Sequence, residues 1–176
     1  MSSQGKPKLH PIPHEEFLRD IETLATGIEQ DNWRPDFVVG IGRGGLVPAV
    51  YVSHRLNLPM LSIDHSAGLP AFGADMVGDI AGRSGAGQKF LFVDDINDSG
   101  ATIAHFRSAL GGDGNGNGNV RFAVLISNRT SRAAVDYQAQ AIDRTEDKRW
   151  FVFPWEAVGE TETIMEEAQS LPERLA

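Results

Sequence analysis

Four consecutive apolar residues, Phe90-Leu91-Phe92-Val93, run directly into two aspartates, Asp94-Asp95, and then into a polar turn, Asp98-Ser99-Gly100. A run of this kind reads as a strand buried on both faces, which a parallel sheet covered by helices provides. Thr102 to Leu110, with Ile103, Phe106 and Leu110 at helical spacing, reads as the helix that follows. The chain therefore sets a charged turn at the carboxyl end of a buried strand, the edge at which open α/β sheets hold ligands.

The same strand-then-helix grammar recurs elsewhere. Phe17, Leu18, Ile21, Leu24, Ala25 and Ile28 predict an amphipathic helix from about Glu15 to Gln30. Phe37-Val38-Val39 predicts a short buried strand, followed by glycines and then a helix from Leu46 to Leu56. Leu61 to Ile63, Val120 to Ser127 and Tyr137 to Ile142 predict three more strands, and Glu160 to Gln169 a polar terminal helix. His65 to Gln88, rich in Gly, Ala and Ser with weak periodicity, is expected to be a mobile loop. Gly111 to Asn119 reads as a flexible Gly/Asn connection. A length of 176 residues suits one domain, so the expected fold is a single α/β domain with a mainly parallel central sheet flanked by helices.

A formal net charge of −8 opposes non-specific attraction to nucleic acid or an anionic membrane, both of which require a field of Lys and Arg. A polyanionic ligand would need a local positive pocket. The chain has no cysteine, which excludes disulfides and thiolate metal sites and agrees with a reducing cytosol. No segment approaches the roughly 20 apolar residues of a membrane span, and the start reads as lacking a signal peptide. The expected location is cytoplasmic.

Two glycine-rich stretches compete for the ligand. Gly40-Ile41-Gly42-Arg43-Gly44-Gly45 satisfies G-x-G-x-x-G and has Asp64 about 20 residues downstream, as a dinucleotide site would. Arg43 inside it suits a highly charged pyrophosphate better than the diester linkage of NAD. The second stretch, Val93 to Thr102, is more specific. Adjacent carboxylates at Asp94 and Asp95 repel unless a cation or hydroxyl donors face them, and a ribose shared with Mg²⁺ supplies both. Asp98-Ser99-Gly100-Ala101-Thr102 offers backbone N–H groups, two hydroxyls and a helix N-terminus, a cradle suited to a monophosphate.

VDDINDSGAT resembles the phosphoribosyl pyrophosphate (PRPP) signature of the type I phosphoribosyltransferases, with Ser99 where many members have Thr. Together with GIGRGGLVPAV and RWFVFPWE, in that order and separation, it is most similar to the bacterial xanthine-guanine (6-oxopurine) branch. The resemblance spans about Phe37 to Trp155. It implies that Arg43 and the N–H groups of Gly44 and Gly45 bind pyrophosphate, and that Asp94 and Asp95 bind the ribose and position Mg²⁺. Ser99, Gly100, Ala101 and Thr102 would hold the 5′-phosphate, and Asp98 would assist the purine's imidazole proton. It further implies that Trp150 stacks on the purine, that the Phe151 backbone meets its edge, and that Arg129 stands where relatives carry a Lys facing the 6-oxo group.

The expected activity is transfer of the 5-phosphoribosyl group from PRPP to guanine, xanthine or hypoxanthine, with a flexible hood over 65–88 and a homo-oligomeric assembly. Two enzymatic or binding alternatives stay open: a transferase for another base, and a PRPP-binding regulatory protein with little turnover. A NAD-dependent oxidoreductase rests on Gly40 to Gly45 alone.

Overall fold

The computed structural model describes residues 7–65, 71–111 and 118–170. Its central sheet holds five parallel strands: β2 (Phe37–Ile41), β3 (Met60–Ile63), β4 (Phe90–Asn97), β5 (Val120–Asn128) and β6 (Tyr137–Ile142), in the order β3-β2-β4-β5-β6. Strands β4 and β5 are central, and their side chains from Phe90 to Val93 and from Phe122 to Ile126 are at most 1% exposed. Successive residues point to opposite faces. Leu91, Val93, Ala123 and Leu125 join one core with α1 (His14–Gln30) and α2 (Gly42–Leu56). Phe90, Phe92, Val120 and Phe122 join a second with α3 (Ala71–Gly85) and α4 (Ala101–Leu110).

This arrangement decides where a ligand can go. The helix after β2 covers one face, the helix after β4 covers the other, and these two strands are neighbours (Val39↔Phe92 in register). Their carboxyl ends therefore diverge into opposite helical layers and leave a crevice, the switch point of an open parallel sheet. A separate two-stranded parallel sheet pairs β1 (Leu9–Pro11) with β7 (Trp150–Val152), and α5 (Thr161–Gln169) ends the described chain.

The expected elements from 15 to 63, from 90 to 110 and from 120 to 142 are present, with two corrections. The stretch Gly42 to Gly45 is the first turn of α2 rather than a loop ahead of a helix at Leu46. The segment expected as a mobile loop over 65–88 is largely helical: α3 turns Val77, Ile80, Ala81 and Ser84 towards the sheet and α4, with Ile80 1% and Ser84 0% exposed. Its buried face is built partly of small residues, so the apolar period is faint although the helix is real. Residues 66–70, and 112–117 of the expected Gly/Asn connection, lie outside the described residues.

Candidate active site

Asp94 and Asp95 occur where β4 leaves the packed core. Asp94 is 9% exposed and accepts the backbone N–H of Asp95 at 3.0 Å; Asp95 accepts that of Ile96 at 2.6 Å. Burial, and then the neighbouring Asp95, push the Asp94 carboxyl well above the usual range. Burial, and then the charge of Glu156, push Asp95 up to about 7. Glu156 is itself raised by burial, with the Arg43 guanidinium opposing, and it accepts the Phe153 N–H at 2.9 Å.

These groups share one cavity of about 710 Å³. Gly42 to Gly44 form one wall, Asp94 to Ile96 and Thr102 another, and Trp155, Glu156 and α5 (Thr163, Ile164, Glu167) a third. The glycines are needed for proximity. A Cβ on Gly45 would lie 2.2 Å from the Val93 carbonyl oxygen, and one on Gly44 would lie 2.3 Å from Asp95 Oδ2. Arg43, in the same turn, is exposed at the cavity wall.

The turn after β4 reaches α4 through Gly100, whose φ of +83° is left-handed and where a Cβ would lie 2.7 Å from the Ala133 nitrogen. Ala101 N–H donates to Ser99 Oγ at 3.2 Å, and Thr102 lines the cavity. Helix N-termini leave their first N–H groups unpaired and carry partial positive charge. Gly42 to Gly44 at the start of α2 and Thr102 at the start of α4 both line this crevice, so two helix N-termini border it.

The other expected site residues lie apart from that cavity. Asp98 pairs with Arg144, at 2.9 Å to Nη2 and 3.1 Å to Nε. Phe151 is 7% exposed in β7, its ring 5.1 Å from the Arg144 guanidinium and 5.3 Å from that of Arg149, while Trp150 beside it is half-buried. Arg129 does not line the cavity; its exposed side chain stands near Asp143. The sequence reading missed Arg144 and the cavity residues Glu156, His65 and Glu167. Only Glu156 carried a signal, as part of the aromatic block.

Among the described residues, no group of three or more acidic or histidine side chains forms a metal cluster by itself. Two adjacent carboxylates, both raised by burial, with Asp95 adding to the rise of Asp94 and Glu156 to that of Asp95, nevertheless fit a divalent cation that takes its remaining ligands from substrate and water, as Mg²⁺ does.

Residues 12–158 match the model of the phosphoribosyl transferase domain family. Among solved structures, the fold is similar to a purine phosphoribosyltransferase from Pyrococcus horikoshii Ot3 (TM-score 0.60, 23% identity, covering 86% of this chain and 96% of that one). It is similar to the xanthine-guanine-hypoxanthine phosphoribosyltransferase of Helicobacter pylori (0.60, 21%, 92% and 99%). The Giardia lamblia APRTase complexed with 9-deazaadenine is also similar (0.51, 12%, 73% and 81%). At such identities the likeness speaks for the fold and leaves the base open.

Proposed function

Because the chain belongs to the phosphoribosyl transferase domain family, we propose that it transfers the 5-phosphoribosyl group of PRPP to a purine ring nitrogen, releasing pyrophosphate and a nucleoside monophosphate. The observation that carries this reading is one crevice bordered by the N-termini of two helices and by a buried acidic pair. PRPP has the same layout: pyrophosphate, a ribose with two hydroxyls, and a 5′-phosphate.

In this reading Arg43 and the N–H groups of Gly44 and Gly45 hold the pyrophosphate, and Ser99, Gly100, Ala101 and Thr102 hold the 5′-phosphate. Asp94 and Asp95 accept from the ribose hydroxyls and hold Mg²⁺, which offsets charge on the departing pyrophosphate when bound. As the anomeric carbon gains positive character, the base nitrogen displaces pyrophosphate. The chain contributes orientation and fixed dipoles rather than a covalent nucleophile. Asp98 takes up the base's proton, and Trp150 and the Phe151 backbone hold the base. A 6-oxopurine and a homo-oligomeric state complete the proposal on the strength of the family resemblance, and a cytoplasmic location on that of the cysteine-free composition. Among the described residues no helix is long and apolar enough to cross a membrane.

The dinucleotide alternative loses its footing, since Gly44 and Gly45 are accounted for by the close approach of Asp95 and Val93. One observation favours PRPP binding without turnover: the Asp98 carboxylate is engaged by Arg144. Incubation with PRPP, Mg²⁺ and hypoxanthine, guanine, xanthine, adenine, uracil or orotate, scoring nucleotide and pyrophosphate together, tests both readings. Equimolar products with the 6-oxopurines support transfer. PRPP binding without product supports the regulatory reading, and preferential use of adenine or a pyrimidine refutes the base assignment.

A further inference from the structure

Arg144 sits in the loop between β6 and β7 with its side chain only 10% exposed, and its guanidinium binds three separate parts of the chain. Nε donates to both Asp98 oxygens at 3.1 Å and Nη2 donates to Oδ2 at 2.9 Å. Nη1 donates to the carbonyls of Asp147 at 3.1 Å and Arg149 at 2.6 Å, immediately before β7. Its plane lies over Phe151. Asn128, at the end of β5, braces the arrangement: its Oδ1 accepts the Arg144 N–H at 3.2 Å and its Nδ2 donates to the Asp98 carbonyl at 3.1 Å.

We propose that Arg144 is the positioning residue of the base half of the site, fixing the Asp98 carboxylate relative to the strand that carries Trp150 and Phe151. This rests on the phosphoribosyl-transfer reading, in which Asp98 serves the base. A rigid planar fork can serve a carboxylate, two carbonyls and an aromatic face at once, whereas the point charge of a lysine cannot. Arg144 does not line the cavity that holds Arg43, Asp94 and Thr102, so it acts on the site through Asp98 rather than by touching PRPP.

The test is steady-state kinetics of Arg144→Met, Arg144→Lys, Asp98→Asn and the Arg144→Met/Asp98→Asn double variant, with both substrates varied. Removing one partner of a buried pair leaves the other charge uncompensated, so Arg144→Met should lower kcat/KM for the base about tenfold or more, with KM for PRPP essentially unchanged. Arg144→Lys should recover only part of that loss. The double variant should be little worse than Asp98→Asn alone, because the arginine acts through the aspartate. Equal changes in the two KM values, additive losses, or wild-type kinetics in Arg144→Lys would overturn the proposal. Should Arg144→Met fail to fold, the lysine variant and its double with Asp98→Asn decide the same question. Absence of product from the wild-type protein with every base sinks the transfer reading itself, and the positioning role with it. Product from wild type with unchanged variants sinks the positioning role alone.

Discussion

The side chain of Asp95 occupies the space that a β-carbon on Gly44 would need, 2.3 Å from Oδ2, so the first turn of α2 and the acidic end of β4 are fitted to each other. The neighbouring glycine differs in kind, because Gly45 faces the Val93 backbone carbonyl at 2.2 Å. A side chain can move aside and a central strand cannot. Gly45→Ala should therefore destabilise the fold by about 1–3 kcal/mol, read by denaturant unfolding. Gly44→Ala should cost less stability and displace the Asp95 carboxylate, weakening PRPP use about tenfold or more. Equal stability losses with intact PRPP use in Gly44→Ala would contradict this division.

The acidic pair should make both stability and activity depend on pH. Asp95 is raised by burial and by Glu156 to about 7, so its protonated form is favoured on folding. A raised carboxyl contributes stability that is present below the unfolded value of 3.8 and is lost as pH rises through about 7. Asp95→Asn should thus raise Tm at pH 8 far more than at pH 4 while removing Mg²⁺-dependent turnover. Wild-type turnover should rise as pH passes through about 7, with added Mg²⁺ moving that rise to lower pH. A Tm difference that is the same at both pH values would exclude titration at Asp95 as the cause.

Asp20 offers the same physics away from the cavity. It is 7% exposed in α1, it accepts Gln140 Nε2 at 2.8 Å, and burial raises it to about 6, with Gln140 opposing and Glu16 adding to the rise. Its stabilising contribution exists below 3.8 and is lost as pH climbs through about 6. Asp20→Asn should stabilise the protein by about 1–3 kcal/mol at pH 8 and by almost nothing at pH 3.5, with kinetics unaltered. Thermal unfolding at the two pH values checks this.

Helix α3 contains exposed glycines that no contact requires: a Cβ on Gly78 or Gly82 would meet nothing within 4 Å. Each Gly→Ala change should stabilise the helix by about 0.5–1 kcal/mol. If 65–88 also serves as the expected hood, stiffening α3 should lower kcat while raising Tm. A rise in Tm with kcat unchanged would show that this helix need not yield during turnover.

How much of this was legible beforehand follows from where the chemistry is local. Phe90 to Val93 announces a doubly covered strand, and Asp94 to Thr102 announces a candidate ligand turn at its end, because strand end, carboxylates and helix start are contiguous. The α3 helix was obscured because Gly and Ala occupy many of its positions, leaving Val77 and Ile80 as the main apolar signal. Strand β7 is three residues long and pairs with a segment some 140 residues away, a contact that no local pattern encodes. Arg144 lies in the charged run Asp143 to Arg149, which reads as a solvated loop until the fold brings Asp98 to it.

Calorimetric titration of the protein with PRPP, with and without Mg²⁺, shows whether the crevice between α2 and the β4–α4 turn is a PRPP site. A single Mg²⁺-strengthened site, not seen with NAD, is the expected result. Thr102→Val should weaken it by about 1.5–3 kcal/mol, the usual worth of a hydrogen bond to a charged group, and the folded Asp94→Asn/Asp95→Asn variant should lose the Mg²⁺ dependence. PRPP binding of undiminished strength and Mg²⁺ response in that double variant, or binding of NAD in place of PRPP, would rule out a PRPP site between α2 and the β4–α4 turn.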